Sequence, residues 1–130
     1  MADSRSCGVQ SVVDVGDVLL CPGCIVEVKG GDMARRASDA LVAKWLVETE
    51  RERINANAEH AFLVGQRAGV GPANAHHWHA YWTAGGWARL LGHDTPDALA
   101  DSTIRTSLES SLAALRANGW GDELEEVEPA

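Results

Sequence analysis

The 130-residue chain is short of the features that would direct it to a membrane or out of the cell. It has no apolar run near the roughly 20 residues that span a bilayer. Its N-terminus lacks the basic-then-apolar pattern of a secretory signal. A cytoplasmic location with no membrane partner is therefore expected. Cysteine is scarce and odd in number, with three in the chain, which argues for reduced thiols over a disulfide framework. There is one phenylalanine and one tyrosine against five tryptophans, so tryptophan must supply most of any aromatic core. No internal repeat or low-complexity segment is present, which excludes solenoid architectures. What remains is a 45% hydrophobic chain able to bury one core.

Within that chain, the run GDVLLCPGCIVEVKGGD at residues 16–32 carries the most information. It places Asp17 ahead of the triplet Glu27-Val28-Lys29 across a tight hairpin. Strand alternation puts Glu27 and Lys29 on one face and Val28 on the other, toward a core. Hydrolysing a phosphodiester means bringing hydroxide to an anionic phosphorus while charge builds on its oxygens, and divalent metal ions held by carboxylates meet both demands. An ammonium beside them can orient or deprotonate the attacking water, or neutralise the phosphate. Asp17 can join Glu27 only if the two share a face, and the turn decides that. A two-residue Pro22-Gly23 loop pairing Cys21 with Cys24 would set Asp17 opposite Val28. A three-residue loop of Cys21, Pro22 and left-handed Gly23 shifts the register by one and sets Asp17 opposite Glu27, and this bulged hairpin is the expectation.

The GDV strand, the PG turn and IVEVKGG resemble the PD-(D/E)xK nucleases, in particular the small Holliday junction resolvase-like proteins of phages and actinobacteria. The likeness runs on through KWLVETERERINANAEHAFLVGQR to HHWHAYW and GGWARLL, covering about residues 5–92. It implies a small mixed β-sheet flanked by helices, a restriction-endonuclease-like core, here with an extra C-terminal helix. It further implies Asp17, Glu27 and Lys29 as catalytic residues, and Mg2+ (or Mn2+) held by Asp17, Glu27 and the Val28 backbone carbonyl. The activity implied is metal-dependent DNA endonuclease action in phage or bacterial recombination and repair, on branched junctions, by a homodimer with one site per strand. Relatives carry an N-terminal helix ahead of the Gly-Asp strand, and little chain precedes it here.

The net charge of −8 is unevenly placed. Residues 1–92 hold ten acidic and nine basic residues, whereas residues 93–130 hold nine and two, so the acidity lies in the tail. In the body, Arg35, Arg36 and Arg67 flank the proposed site and are expected to contact DNA phosphates. Arg51 and Arg53 are further candidates, with helical pairing to nearby glutamates as the structural alternative.

Periodicity orders the elements. Val9–Val13 reads as a short strand, followed by hairpin strands at 16–20 and 24–29. Ser38 or Asp39 caps a helix reaching about Asn57, with Leu41, Val42, Trp45 and Leu46 on its buried side. Residues 61–66 read as a buried strand, 67–75 as a loop and 77–83 as a strand, with Gly85-Gly86 breaking the chain before a short helix at 87–91. Thr95-Pro96 opens a helix whose stripe is Ile104, Leu108, Leu112 and Leu115, ending near Asn118-Gly119. The domains expected are a nuclease core at 1–92, a helical extension at 93–119 packed on the core or a partner, and a disordered acidic tail at 120–130, where Trp120 is free to be exposed.

Two other function classes fit parts of the pattern. Cys21-Pro-Gly-Cys24 has zinc-knuckle spacing, and His76, His77, His79 and His93 can complete such a site, although Pro-Gly is also what a turn requires. A non-catalytic nucleic-acid-binding or interaction protein that keeps the nuclease fold is the third reading.

Overall fold

The computed structural model describes residues 23–120 in full and residues 16–21 as backbone. The strand expected at residues 9–13 and the acidic tail from residue 121 lie outside the described residues. The chain forms a mixed α/β fold built on one five-stranded sheet in the order β1-β2-β3-β4-β5. The strands are β1 (Gly16–Cys21), β2 (Cys24–Lys29), β3 (His60–Gly65), β4 (His79–Thr83) and β5 (Thr103–Ser107). The β2–β3 pair is parallel and the other three pairs are antiparallel.

The hairpin has the expected register of Asp17 opposite Glu27, but the expected three-residue loop is corrected: the loop is the two-residue Pro22-Gly23 one. Asp17 pairs with Glu27 and Leu19 with Ile25, yet Cys21 pairs with Cys24. The one-residue shift is absorbed by a bulge between Leu19 and Cys21. Gly23 is left-handed, at φ 91°, as the turn demands.

A parallel β2–β3 pair requires a crossover, and it contains α1 (Gly31–Arg35) and α2 (Asp39–Asn55). Sequence periodicity did not foresee α1, because five residues are too few to display a period. Ser38 caps α2 by accepting a hydrogen bond from the Leu41 amide, as expected. Val42, Trp45, Leu46 and Thr49, spaced three and four apart, form its buried stripe. Together with Leu63 and half-buried Tyr81 they make a small core on one face of the sheet.

The larger core lies on the other face. There Val26, Val28, Phe62, Val64, Ala80 and Trp82 meet α3 (Ala84–Leu91) and α4 (Leu108–Ala117). Phe62 and Trp82 stack with ring centroids 4.6 Å apart and planes 6° from parallel. The Trp82 indole donates to Ser111 Oγ at 2.9 Å, which satisfies the polar edge of a fully buried ring.

Five further expectations are corrected. Ile104 belongs to β5, paired with Trp82, and not to a helix. The alternating β-branched run Thr103-Ile104-Arg105-Thr106 suits a pleated surface and prevails over the helical spacing that Ile104 shares with the leucines of α4. Residues 97–99 make only a 3-10 turn. Gly85 and Gly86 do not break the chain but form the first turn of α3, where Thr83 Oγ1 accepts from the Gly86 amide at 2.9 Å. A Cβ on Gly86 would sit 3.0 Å from that oxygen, so close approach accounts for the glycine. Residues 72–77 form a 3-10 turn, which delays β4 to His79. Trp120 is buried, its ring edge-on to His60 at 5.0 Å and directly against Gly23. The segment after residue 92 thus adds a strand and a helix to the core.

Because Leu115 is 1% exposed on the buried side of α4, Leu115→Ala should lower the unfolding free energy by about 2 to 5 kcal/mol. The measurement is the urea midpoint at constant m. Ile54→Ala, at a side chain 66% exposed, should change stability by less than about 0.5 kcal/mol. Equal midpoints for the two variants would remove α4 from the cooperative core.

Candidate functional site

Glu27 and Lys29 lie one alternation apart on the α2 face of β2, while Val26 and Val28 point into the opposite core. Lys29 Nζ is 2.9 Å from Glu27 Oε2. The other carboxylate oxygen, Oε1, accepts from Thr49 Oγ1 at 2.8 Å. Thr49 Oγ1 also lies 2.9 Å from the Trp45 carbonyl, so its single hydrogen is shared between two acceptors. Lys29 Nζ stands 5.3 Å from the centroid of the Trp45 ring, within cation–π range. Glu27 is 5% exposed, whereas the Lys29 side chain keeps 30%. The carboxylate is therefore held from two sides, and the ammonium reaches from it toward solvent.

Backbone geometry locates Asp17 relative to this pair. The Lys29 carbonyl accepts from the Gln66 amide beyond β3. Alternation then turns the backbone groups of Glu27 toward β3 and those of Val28 toward β1. Asp17 and Glu27 thus form a non-hydrogen-bonded cross-strand pair, the kind whose Cα atoms approach to about 4.5 Å. The Val28 carbonyl faces β1 opposite Gly16.

The oxygen chemistry of Glu27 and the Val28 carbonyl, with an aspartate in register, fits a hard cation such as Mg2+. Thr49 engages one Glu27 oxygen and Lys29 the other, and a carboxylate oxygen with two lone pairs can accept a metal besides. Among the described residues no cluster of three or more His, Cys, Asp or Glu side chains is arranged to hold a metal. The β1 side chains, Asp17 included, lie outside that set.

The arginines separate by role. Arg35, which pairs with Asp32, and Arg36, at the end of α1, are both exposed just beyond Lys29. Arg67 is exposed past the end of β3 and donates to the His77 carbonyl at 3.4 Å. Gln66 Oε1 accepts from the Gly31 amide at 2.9 Å, tying this rim to the start of α1. Arg51 is exposed on α2. Arg53, by contrast, is occupied structurally. It pairs with Glu50 at 3.0 Å and donates to the Ala58 carbonyl at 3.2 Å, stabilising the end of α2. The helical-pairing alternative therefore describes Arg53 better than a DNA contact does.

The four histidines proposed for a zinc site do not gather around Cys24. Cys24 is fully buried in the core beneath α4, whereas His76, His77 and His93 are exposed and His79 lies on the opposite face of the sheet. His79 has its pKa lowered from 6.5 by burial first, then by the charges of Arg105 and Arg67. Tyr81 has its pKa raised by burial, against an opposing charge and hydrogen bond from Arg105, with Asp39 adding to the rise.

Sequence reading missed Thr49 and the second role of Trp45. The available signal was one polar residue completing the apolar stripe Val42-Trp45-Leu46, which places a hydroxyl where a buried partner is needed. No family model, curated protein or solved structure matches the chain.

Two outcomes follow from this geometry. Thr49→Val keeps the shape but removes the donor from a buried carboxylate oxygen, and should cost about 1 to 3 kcal/mol in denaturant unfolding. Parent-like stability would mean that the hydroxyl does not hold Glu27. In a histidine NMR titration, His79 should have its midpoint below 6.5. Arg105→Ala should move that midpoint upward, since it removes a cation that opposes protonation. A downward or absent change would deny their proximity.

Proposed function

We propose that this protein is a metal-dependent DNA endonuclease of the PD-(D/E)xK class, resolvase-like in substrate and acting in recombination or repair. The observation that carries the reading is the hairpin register. It pairs Asp17 with Glu27, with Lys29 two residues further along the same face. The mixed sheet, in which this hairpin leads into a crossover helix and a parallel strand, supports a restriction-endonuclease-like core.

Asp17, Glu27 and the Val28 carbonyl would hold Mg2+ or Mn2+. When bound, such an ion polarises phosphate oxygens and acidifies a coordinated water. The chain's own groups do the rest. Thr49 and Lys29 hold the Glu27 carboxylate in one orientation from opposite sides. The exposed part of Lys29 orients the attacking water or offsets the charge that builds on the phosphate. Trp45 limits where the ammonium can go. Arg35, Arg36 and Arg67 at the rim of the strands, and Arg51 on α2, contact phosphates and set the position of the duplex. Cleaving both strands of a junction needs two such sites, hence a homodimer.

Burial of Glu27 beneath Thr49 favours a second reading, a DNA-binding protein that retains the fold without cleavage. One experiment separates the two. With Mg2+ or Mn2+, the parent protein should cut a four-way junction in preference to linear duplex. Glu27→Gln and Asp17→Asn should lose at least about a hundredfold in rate while keeping DNA affinity, because loss of a ligand charge weakens the metal and not the phosphate contacts. Binding without cutting by the parent in either metal would select the second reading, and parent-like cutting by either variant would overturn the site.

A further inference from the structure

Helix α2 divides its face of the sheet into two unlike flanks. On one, Trp45 and Thr49 cover the Glu27–Lys29 pair. On the other lies an open groove of about 600 Å³, lined by Ala37, Asp39, Val42, Tyr81, Thr103 and Arg105. Helices α3 and α4 belong to the opposite face, so among the described residues α2 is the helix that covers this side of β4, in part, at Tyr81. The groove is in register with the candidate site. Glu27 pairs with Leu63, Leu63 with Tyr81 and Tyr81 with Arg105. One row further, Lys29 pairs with Gly65 and Gly65 with His79. From β2 to β5 is three strand spacings, roughly 14 Å.

The chemistry of the groove indicates its occupant. Its walls are mainly polar and it is open to solvent, unlike the enclosed apolar pockets that take small molecules. Arg105 is exposed, pairs across the strands with Tyr81, and lines the groove beside it. Arg105 and Arg67 both lower the pKa of His79, so two cations lie beside this end of the sheet. Asp39 is the one carboxylate in the lining among the described residues. A planar guanidinium with flanking hydroxyls suits a phosphodiester better than an apolar peptide face.

We propose that this groove is an accessory DNA-binding surface, in which Arg105, with the hydroxyls of Tyr81 and Thr103 beside it, contacts backbone phosphates of the substrate away from the scissile bond. The proposal rests on DNA being the substrate and deepens that reading, giving α2 a DNA contact on each flank.

The test is fluorescence anisotropy of a labelled four-way junction and of a linear duplex, in EDTA, across a salt series. Arg105→Glu should weaken binding by at least about tenfold and reduce the slope of log K against log salt by about one, and Arg105→Ala should lose about three- to tenfold. Arg116→Glu on α4 makes the same charge change on the opposite side of the sheet and should stay within about twofold. Circular dichroism and thermal melting verify that each variant is folded. If Arg105→Ala and Arg105→Glu bind with the parent's affinity and slope, the groove is not a DNA surface, and the nuclease reading, which depends on Asp17 and Glu27, stands apart from that result. If the parent binds no DNA, both readings fall. If the Arg105 variants lose affinity while the parent cuts nothing in Mg2+ or Mn2+, the groove holds and the nuclease reading falls.

Discussion

The parallel pairing of β2 with β3 determines where everything else in the molecule lies. Two parallel neighbours cannot be joined by a tight turn, so the chain must leave the sheet after Lys29 and return at His60. It does so through α1 and α2, and α2 settles on the face that carries Glu27 and Lys29. A carboxylate beneath a helix loses its water, and a buried charge is tolerated only with a counter-charge and hydrogen bonds. Lys29 supplies the first and Thr49 the second. The geometry of the candidate site is thus a consequence of the crossover as much as of the triplet.

The two faces of the sheet divide the work. On one, Phe62, Trp82 and the leucines of α4 make a continuous core tied together by the Trp82–Ser111–Thr106 hydrogen-bond chain. Its role is cohesion. The other face carries, among the described residues, a small apolar patch under α2 with polar or charged residues to each side. Substitutions at the polar and charged positions of this face need not disturb the larger core, since the sheet separates the two.

Some elements were legible because a local rule and the tertiary environment agree. Left-handed Gly23 in a short turn forces a one-residue adjustment, and the hairpin makes it, through a bulge beside Cys21. Ser38 caps α2 because a hydroxyl ahead of an apolar stripe satisfies an orphan amide wherever the helix is placed. Other elements were illegible because two rules compete. Ile104 fits the helical spacing of Leu108, Leu112 and Leu115 and also the alternation of Thr103–Ser107. Pairing with the exposed edge of β4, which is not visible in the chain, decides for the strand. Gly85-Gly86 looked like a break, and only the proximity of Thr83 Oγ1 makes glycine the residue that fits a helix start there.

The sequence by itself determined the hairpin, its register and the common face of Glu27 and Lys29, because strand alternation and turn conformation act over a few residues. It also determined which side chains are apolar enough to be buried, down to the leucines of α4. Tertiary structure alone decided what those side chains meet. That Thr49 reaches Glu27, that Trp120 closes over Gly23, and that Arg105 and Arg67 share the neighbourhood of His79 all depend on segments far apart in the chain. Local periodicity carries no information about such meetings, because they are set by the crossover that pairs β2 with β3 and by the order in which the remaining strands add to the sheet.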